Sequence, residues 1–283
     1  MSGARSLFDR AIFIVSSPRS GSSLLFLTLM QAPGIHTIGG ESHGLIEAIP
    51  GLHPRYRGWH SNCLSGADAT PQLAETIAAS FYRTLRDRDG RAPQGRAVMI
   101  EKTPKNSLRV PFFASVWPDA RFVYLYRDPR PTLSSMMEAW NSGRFRTYPL
   151  LPGWTGTPWS LLLIPGWRDL IGRPLPEIVA RQWAVTAELL LDSLDALPAG
   201  QVVGVSYSDF LAAPQETVAG LCDALGLSWD RTLSDSLPLS PTVVTAPSSD
   251  KWRRDEAAIE AVWPIVEAAD ARARAALARY RVT

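Results

Sequence analysis

The sequence predicts an α/β protein: a central parallel sheet flanked by helices on both faces, in three layers. Short apolar runs alternate with helix-compatible segments four or five times along 283 residues, which implies parallel strands joined by helical crossovers. One of these units, residues 11–30, has a small-residue turn between strand and helix. The polar motifs fall at the carboxyl ends of the strands, where such sheets bind ligands.

The first unit runs from an apolar strand, Ala11–Val15, through Ser16-Ser17-Pro18-Arg19-Ser20-Gly21-Ser22-Ser23 to a helical stretch, Leu24–Met30. This is the layout of a phosphate-binding loop (P-loop), in which backbone amides and the helix dipole face an anion. Gly21 permits close backbone approach, the serines add hydroxyls, and Arg19 adds a forked cation. Aligned on the triphosphatase pattern GxxxxGK[ST], Ser22 stands where the lysine belongs, so the loop suits a phosphate-like group without favouring ATP hydrolysis.

Residues 34–50 form a polar, glycine-rich connection holding Glu41 and His43. Apolar positions at Leu73, Ile77, Phe81 and Leu85 predict an amphipathic helix over 71–88, with Thr70 as N-cap and Pro71 opening it. A short strand, Ala97–Ile100, ends in Glu101-Lys102-Thr103-Pro104, and Leu108–Val116 reads as helix. The strand Arg121–Tyr126 ends in Arg127, where Asp128-Pro129 open a helix toward Asn141. Between about 143 and 176 the periodicity fails over six prolines and three tryptophans, marking an insertion. Helix, strand and helix follow at Glu177–Leu197, Val202–Val205 and Pro214–Leu225. A Ser/Pro-rich loop, 236–250, leads to an alanine-rich helix over 255–280, in which Pro264 marks a candidate interruption. The length fits one α/β domain, 1–283, carrying that insertion.

PRSGSSLL after a strand resembles the 5′-phosphosulfate loop of sulfotransferases that use 3′-phosphoadenosine-5′-phosphosulfate (PAPS), in the variant of the bacterial and tyrosylprotein-type branch, with Arg19 in place of a lysine. The resemblance implies that Arg19, Ser20, Gly21, Ser22 and Ser23 hold the donor. It extends to Arg127 with Ser135 eight residues later, the spacing that in this family clamps the nucleotide's 3′-phosphate. Tyr207-Ser208-Asp209-Phe210 is similar to the family's YEDL segment, with Ser208 and Phe210 departing from it, and implies that Tyr207 contacts the nucleotide. Ser248-Ser249-Asp250-Lys251-Trp252-Arg253 resembles the loop that covers the nucleotide, assigning Ser248, Ser249, Lys251, Trp252 and Arg253 to it. Lys102 is similar to the catalytic lysine that stabilises the departing oxygen. For the general base, Glu41 and His43 both stand open: position favours Glu41, whereas an imidazole titrates nearer neutral pH. Together these imply sulfuryl transfer from PAPS, with release of the 3′,5′-bisphosphate (PAP), to a hydroxyl of a small-molecule or conjugate acceptor, with no metal required.

Rival readings are a P-loop kinase or NTPase, opposed by Ser22 and by the Arg127/Ser135 spacing, and a nucleotide-binding module without activity. A net charge of +2 gives no support for nucleic-acid binding through a broad basic surface. Two cysteines form no disulfide framework, and no apolar run is long enough to span a bilayer, so the expectation is a soluble cytoplasmic protein. His36, His43, His53, His60 and Cys63 follow spacings of 7, 10, 7 and 3, which match no zinc pattern in full. The insertion suits either an acceptor pocket or a flap packed on the protein or on another subunit.

Overall fold

A computed structural model describes residues 3–234, 237–245 and 250–281. Its strands are β1 (Phe8–Val15), β2 (Ile35–His36), β3 (Ala97–Lys102), β4 (Arg121–Tyr126), β5 (Arg146–Tyr148), β6 (Trp159–Ser160) and β7 (Val202–Ser206). Its helices are α1 (Ser22–Leu29), α2 (His43–Glu47), α3 (Pro71–Thr84), α4 (Val110–Val116), α5 (Pro129–Ser142), α6 (Leu175–Asp195), α7 (Tyr207–Ala212), α8 (Pro214–Leu225) and α9 (Glu256–Tyr280). Five strands form a sheet in the order β2-β3-β1-β4-β7, every pair parallel. The predicted three-layer α/β architecture is the one observed.

Alternation along each strand divides the core between the two faces. Phe13, Val15, Phe122 and Tyr124 pack with α3, α4, α6 and α9 on one side. Ile12, Ile14, Val123 and Leu125 pack with α1 and α8 on the other. Phe13 is fully buried and stacks on Phe113 of α4 with ring centroids 4.4 Å apart. Burying a phenyl group of that kind contributes about 1.5–3 kcal/mol.

Helix termini follow local chemistry. The Thr70 hydroxyl accepts from the Leu73 amide, and the Asp128 carboxylate accepts from the Arg130 amide, each with proline opening the helix. α3 stops at Thr84, short of the expected 88, because Leu85 turns to extended backbone and Arg86 then bridges Thr37. The segment expected to be helical from Leu108 starts as a 3-10 turn over Pro104–Leu108 and becomes α-helical only at Val110. α9 runs through Pro264 without a break. The insertion holds an antiparallel β5–β6 hairpin beside a second apolar core, in which Trp140, Trp159, Trp167 and Trp183 are buried between α5 and α6.

Candidate active site

The carboxyl ends of β1, β3 and β4 open on one cavity of about 1190 Å³. Its walls include the phosphate-type loop, Glu41 and His43, Arg127 and Ser135, the β5 segment, Tyr207, and residues 237–245 with Lys251 and Trp252. That volume exceeds the 300–1,000 Å³ usual for one drug-sized ligand, so there is space for two reactants.

The loop after β1 is pinned at its start by Ser107, whose hydroxyl accepts from the Ser16 amide at 3.0 Å and donates to the Ser16 carbonyl at 2.7 Å. Arg19 and Gly21 both take left-handed backbone, with φ of 65° and 91°. Gly21 is the residue before α1, so the turn aims the first helical amides, which lack intrahelical acceptors, at the cavity. A Cβ at Gly21 would lie 2.1 Å from Cε2 of Tyr207, whose ring lies against the turn. Ser22 and Ser23 line the cavity, whereas Ser20 is buried beneath it, 1% exposed.

The two arginine motifs interlock. The Arg127 Nη1 group donates to the Arg19 carbonyl at 2.9 Å, and its guanidinium lies 4.7 Å from the centre of the Tyr207 ring. Arg19 Nε donates to Ser135 Oγ at 3.2 Å, with its guanidinium 4.7 Å from the Phe145 ring centre. Burial is the main influence on both guanidiniums and lowers their pKa. Among the described residues neither forms a salt bridge, although both line the cavity. Two half-buried cations beside a helix N-terminus make a fitting cradle for a doubly phosphorylated nucleotide.

Lys102, at the end of β3, is 5% exposed. Its Nζ donates to Glu41 Oε1 at 2.8 Å and to Ser23 Oγ at 3.0 Å. His43 Nδ1 lies 3.4 Å from Glu41 Oε2, within ion-pair range but without hydrogen-bond geometry. Burial acts to raise the Glu41 pKa, but the neighbouring His43 and the Lys102 charge outweigh it and hold the carboxyl at about 2. Lys102, Glu41, His43 and Ser23 thus meet at one point, reached from β3, the connection after β2, α2 and α1.

The Ser42 amide donates to Thr103 Oγ1 at 2.7 Å, and Thr103 Oγ1 in turn donates to Glu101 Oε1 at 2.5 Å. Burial raises the pKa of Glu101, which also accepts from Asn106 Nδ2 at 2.7 Å. Sequence reasoning passed over this support, although an acid ending an apolar strand beside Lys102 was its visible sign. It also missed Phe145, and Glu138, one turn beyond Ser135 on α5. Glu138 accepts from Lys251 Nζ at 2.8 Å and from the Thr245 hydroxyl at 2.6 Å. Trp252 lines the cavity, while Arg253 pairs with Asp250 and Glu256 and is not among the lining residues. Ser248 and Ser249 lie outside the described residues.

The chain belongs to the sulfotransferase family, whose sequence model matches residues 11–231. Enzymes of this family transfer sulfuryl groups. A Caenorhabditis briggsae protein named "Putative protein-tyrosine sulfotransferase" is 21% identical over 227 residues, spanning 80% of this chain and 69% of that protein. The fold is shared with a sulfotransferase from Alicyclobacillus acidocaldarius, at TM-score 0.50 and 19% identity over 91% of this chain and 94% of that one. A sulfotransferase from Mycobacterium avium aligns at TM-score 0.52 and 13% identity, covering 91% and 75% of the two chains. Among the described residues no helix is long and apolar enough to cross a membrane, and no cluster of three or more potential metal ligands occurs.

Proposed function

We propose that this enzyme uses PAPS as its donor and sulfates a hydroxyl group, with Glu41 and Lys102 at the reacting centre. The observation that carries this reading is the interlock of Arg19, Arg127 and Ser135 on the same cavity wall that leads to the Lys102–Glu41 pair. PAPS, when bound, supplies the sulfuryl group and leaves as PAP. Arg19 and the amides at Gly21, Ser22 and Ser23 would hold its 5′ side, and Arg127 with Ser135 its 3′-phosphate. Tyr207 and Trp252 offer flat surfaces to the nucleoside, and Lys251 adds charge at the edge. For Ser248, Ser249 and Arg253 the nucleotide contact is the one that the family resemblance implies.

Lys102 bridges the base candidate and the loop, so it is placed to transfer its charge from Glu41 to the departing phosphate oxygen. Freed of that partner, Glu41 can accept the acceptor hydroxyl's proton. His43, 3.4 Å from the same carboxylate, is the alternative base or its orienter. Arg19, Lys102 and Arg127 provide the positive charge that kinases obtain from magnesium, so the reaction is proposed to need no metal. The insertion around 143–176 supplies Phe145, Tyr148 and Leu150 to the cavity, which supports an acceptor-side role within one catalytic domain. Two unpaired cysteines, Cys63 and Cys222, fit a reducing compartment such as the cytoplasm.

Thermal-shift measurement with PAP and with ATP plus magnesium tests the donor assignment. PAP alone should raise the melting temperature. Stabilisation by ATP–magnesium with none by PAP would replace this reading with a kinase-like one.

A further inference from the structure

Beyond the reacting centre, the same cavity wall contains a buried charge cluster centred on Glu47, the last residue of α2. Its side chain is 10% exposed. Oε1 accepts from Lys105 Nζ at 2.8 Å and Arg109 Nη2 at 2.7 Å, and Oε2 accepts from Lys105 Nζ at 2.9 Å. Tyr148, on β5 of the insertion, places its hydroxyl 3.4 Å from Oε1, and that hydroxyl accepts from Lys105 Nζ at 3.1 Å. Asn62 Nδ2 donates to the same hydroxyl at 2.6 Å, while Asn62 Oδ1 accepts from the Leu163 amide at 2.6 Å.

All three ammonium protons of Lys105 have partners in this arrangement, whereas Arg109 Nη1 is buried without one. What the cluster does is join separate pieces of chain. Glu47 ties the segment after β3 (Lys105, Arg109) and the insertion (Tyr148) to a five-residue helix whose first residue is His43. At the other end of that short segment, Ser42 is held by Thr103 and Asn106. Residues 41–47 are therefore clamped at both ends, and only the Glu47 end reaches the insertion.

We propose that Glu47 is a positioning residue of the acceptor site, fixing the β5 wall of the cavity relative to Glu41 and His43. This rests on the proposed PAPS-dependent transfer, with the insertion bordering the acceptor. A buried carboxylate with two cationic partners is suited to such a task, because removing its charge leaves both cations uncompensated and releases the elements they hold.

The test compares parent, Glu47→Gln and Glu47→Asp by amide hydrogen exchange, with PAP affinity measured by calorimetry. In Glu47→Gln, exchange should accelerate about tenfold or more in both 41–49 and 145–163, with β1, β3 and β4 unchanged. PAP affinity should stay within about twofold of the parent, because the cluster touches none of the nucleotide residues. Glu47→Asp, which keeps the charge, should restore much of the protection. Unchanged protection at 145–163 in Glu47→Gln, or loss spread evenly over the sheet, would overturn the proposal. Failure of the parent to bind PAP would instead remove the reading on which it rests.

Discussion

Lys102 Nζ lies 2.8 Å from Glu41 Oε1, joining the end of a central strand to the connection that follows β2. Beside His43 and Lys102, Glu41 is held at about 2 and is a carboxylate throughout the physiological range. A base works only when deprotonated, so rate falls as pH drops through its pKa. With Glu41 as base, kcat/KM should stay level from pH 7 to about 5, whereas an imidazole base loses its acceptor form below roughly pH 6.5. Glu41→Gln should lower kcat roughly 10²- to 10⁴-fold with PAP affinity near the parent value, and His43→Asn should cost much less. A folded Glu41→Gln enzyme with near-normal turnover would pass the role to His43.

Arg127→Ala should weaken PAP binding by about 2 kcal/mol or more, because a buried phosphate loses its charged partner. AMP lacks the 3′-phosphate and should bind parent and variant nearly alike. Calorimetric titration of both nucleotides checks this, and equal weakening of the two would refute the 3′-phosphate assignment.

What the sequence made legible was local. The strand Arg121–Tyr126 and the helix Pro214–Leu225 have the expected bounds because each is punctuated by its own chemistry, an Arg-Asp-Pro stop in one and a Pro start with a Gly226 stop in the other. Arg19, Gly21, Arg127 and Tyr207 were identifiable because each sits in a short motif at a strand end, and Ser135 by its eight-residue spacing from Arg127. Glu138 and Glu47 were not, because their roles depend on partners 113 and 101 residues away. The two-residue β2 carries too little pattern to be seen. The insertion's tryptophans lacked periodicity because they fill an irregular second core rather than one face of an element.

Gly21→Ala tests the loop geometry. Positive φ strains any side chain there, and the added methyl meets the Tyr207 ring. A loss of about 1–3 kcal/mol in stability and a parallel loss of PAP affinity are expected. Adding Tyr207→Ala should relieve the clash but not the backbone strain, so recovery of melting temperature should be partial. Full recovery would show that the left-handed turn is dispensable.

Activity should survive excess EDTA, because Arg19, Lys102 and Arg127 supply the charge at the donor site. Assay of turnover before and after chelation checks this. Loss of turnover restored by magnesium or zinc would assign a metal a part in the reaction.

The most direct measurement follows ³⁵S-labelled PAPS incubated with the enzyme and a panel of hydroxyl compounds. Labelled sulfate ester should form in step with PAP for at least one acceptor, and Lys102→Ala should slow that transfer roughly 10²- to 10³-fold. An enzyme that binds PAP but leaves labelled PAPS unconsumed across the panel, or a Lys102→Ala variant that transfers at the parent rate, would contradict the account.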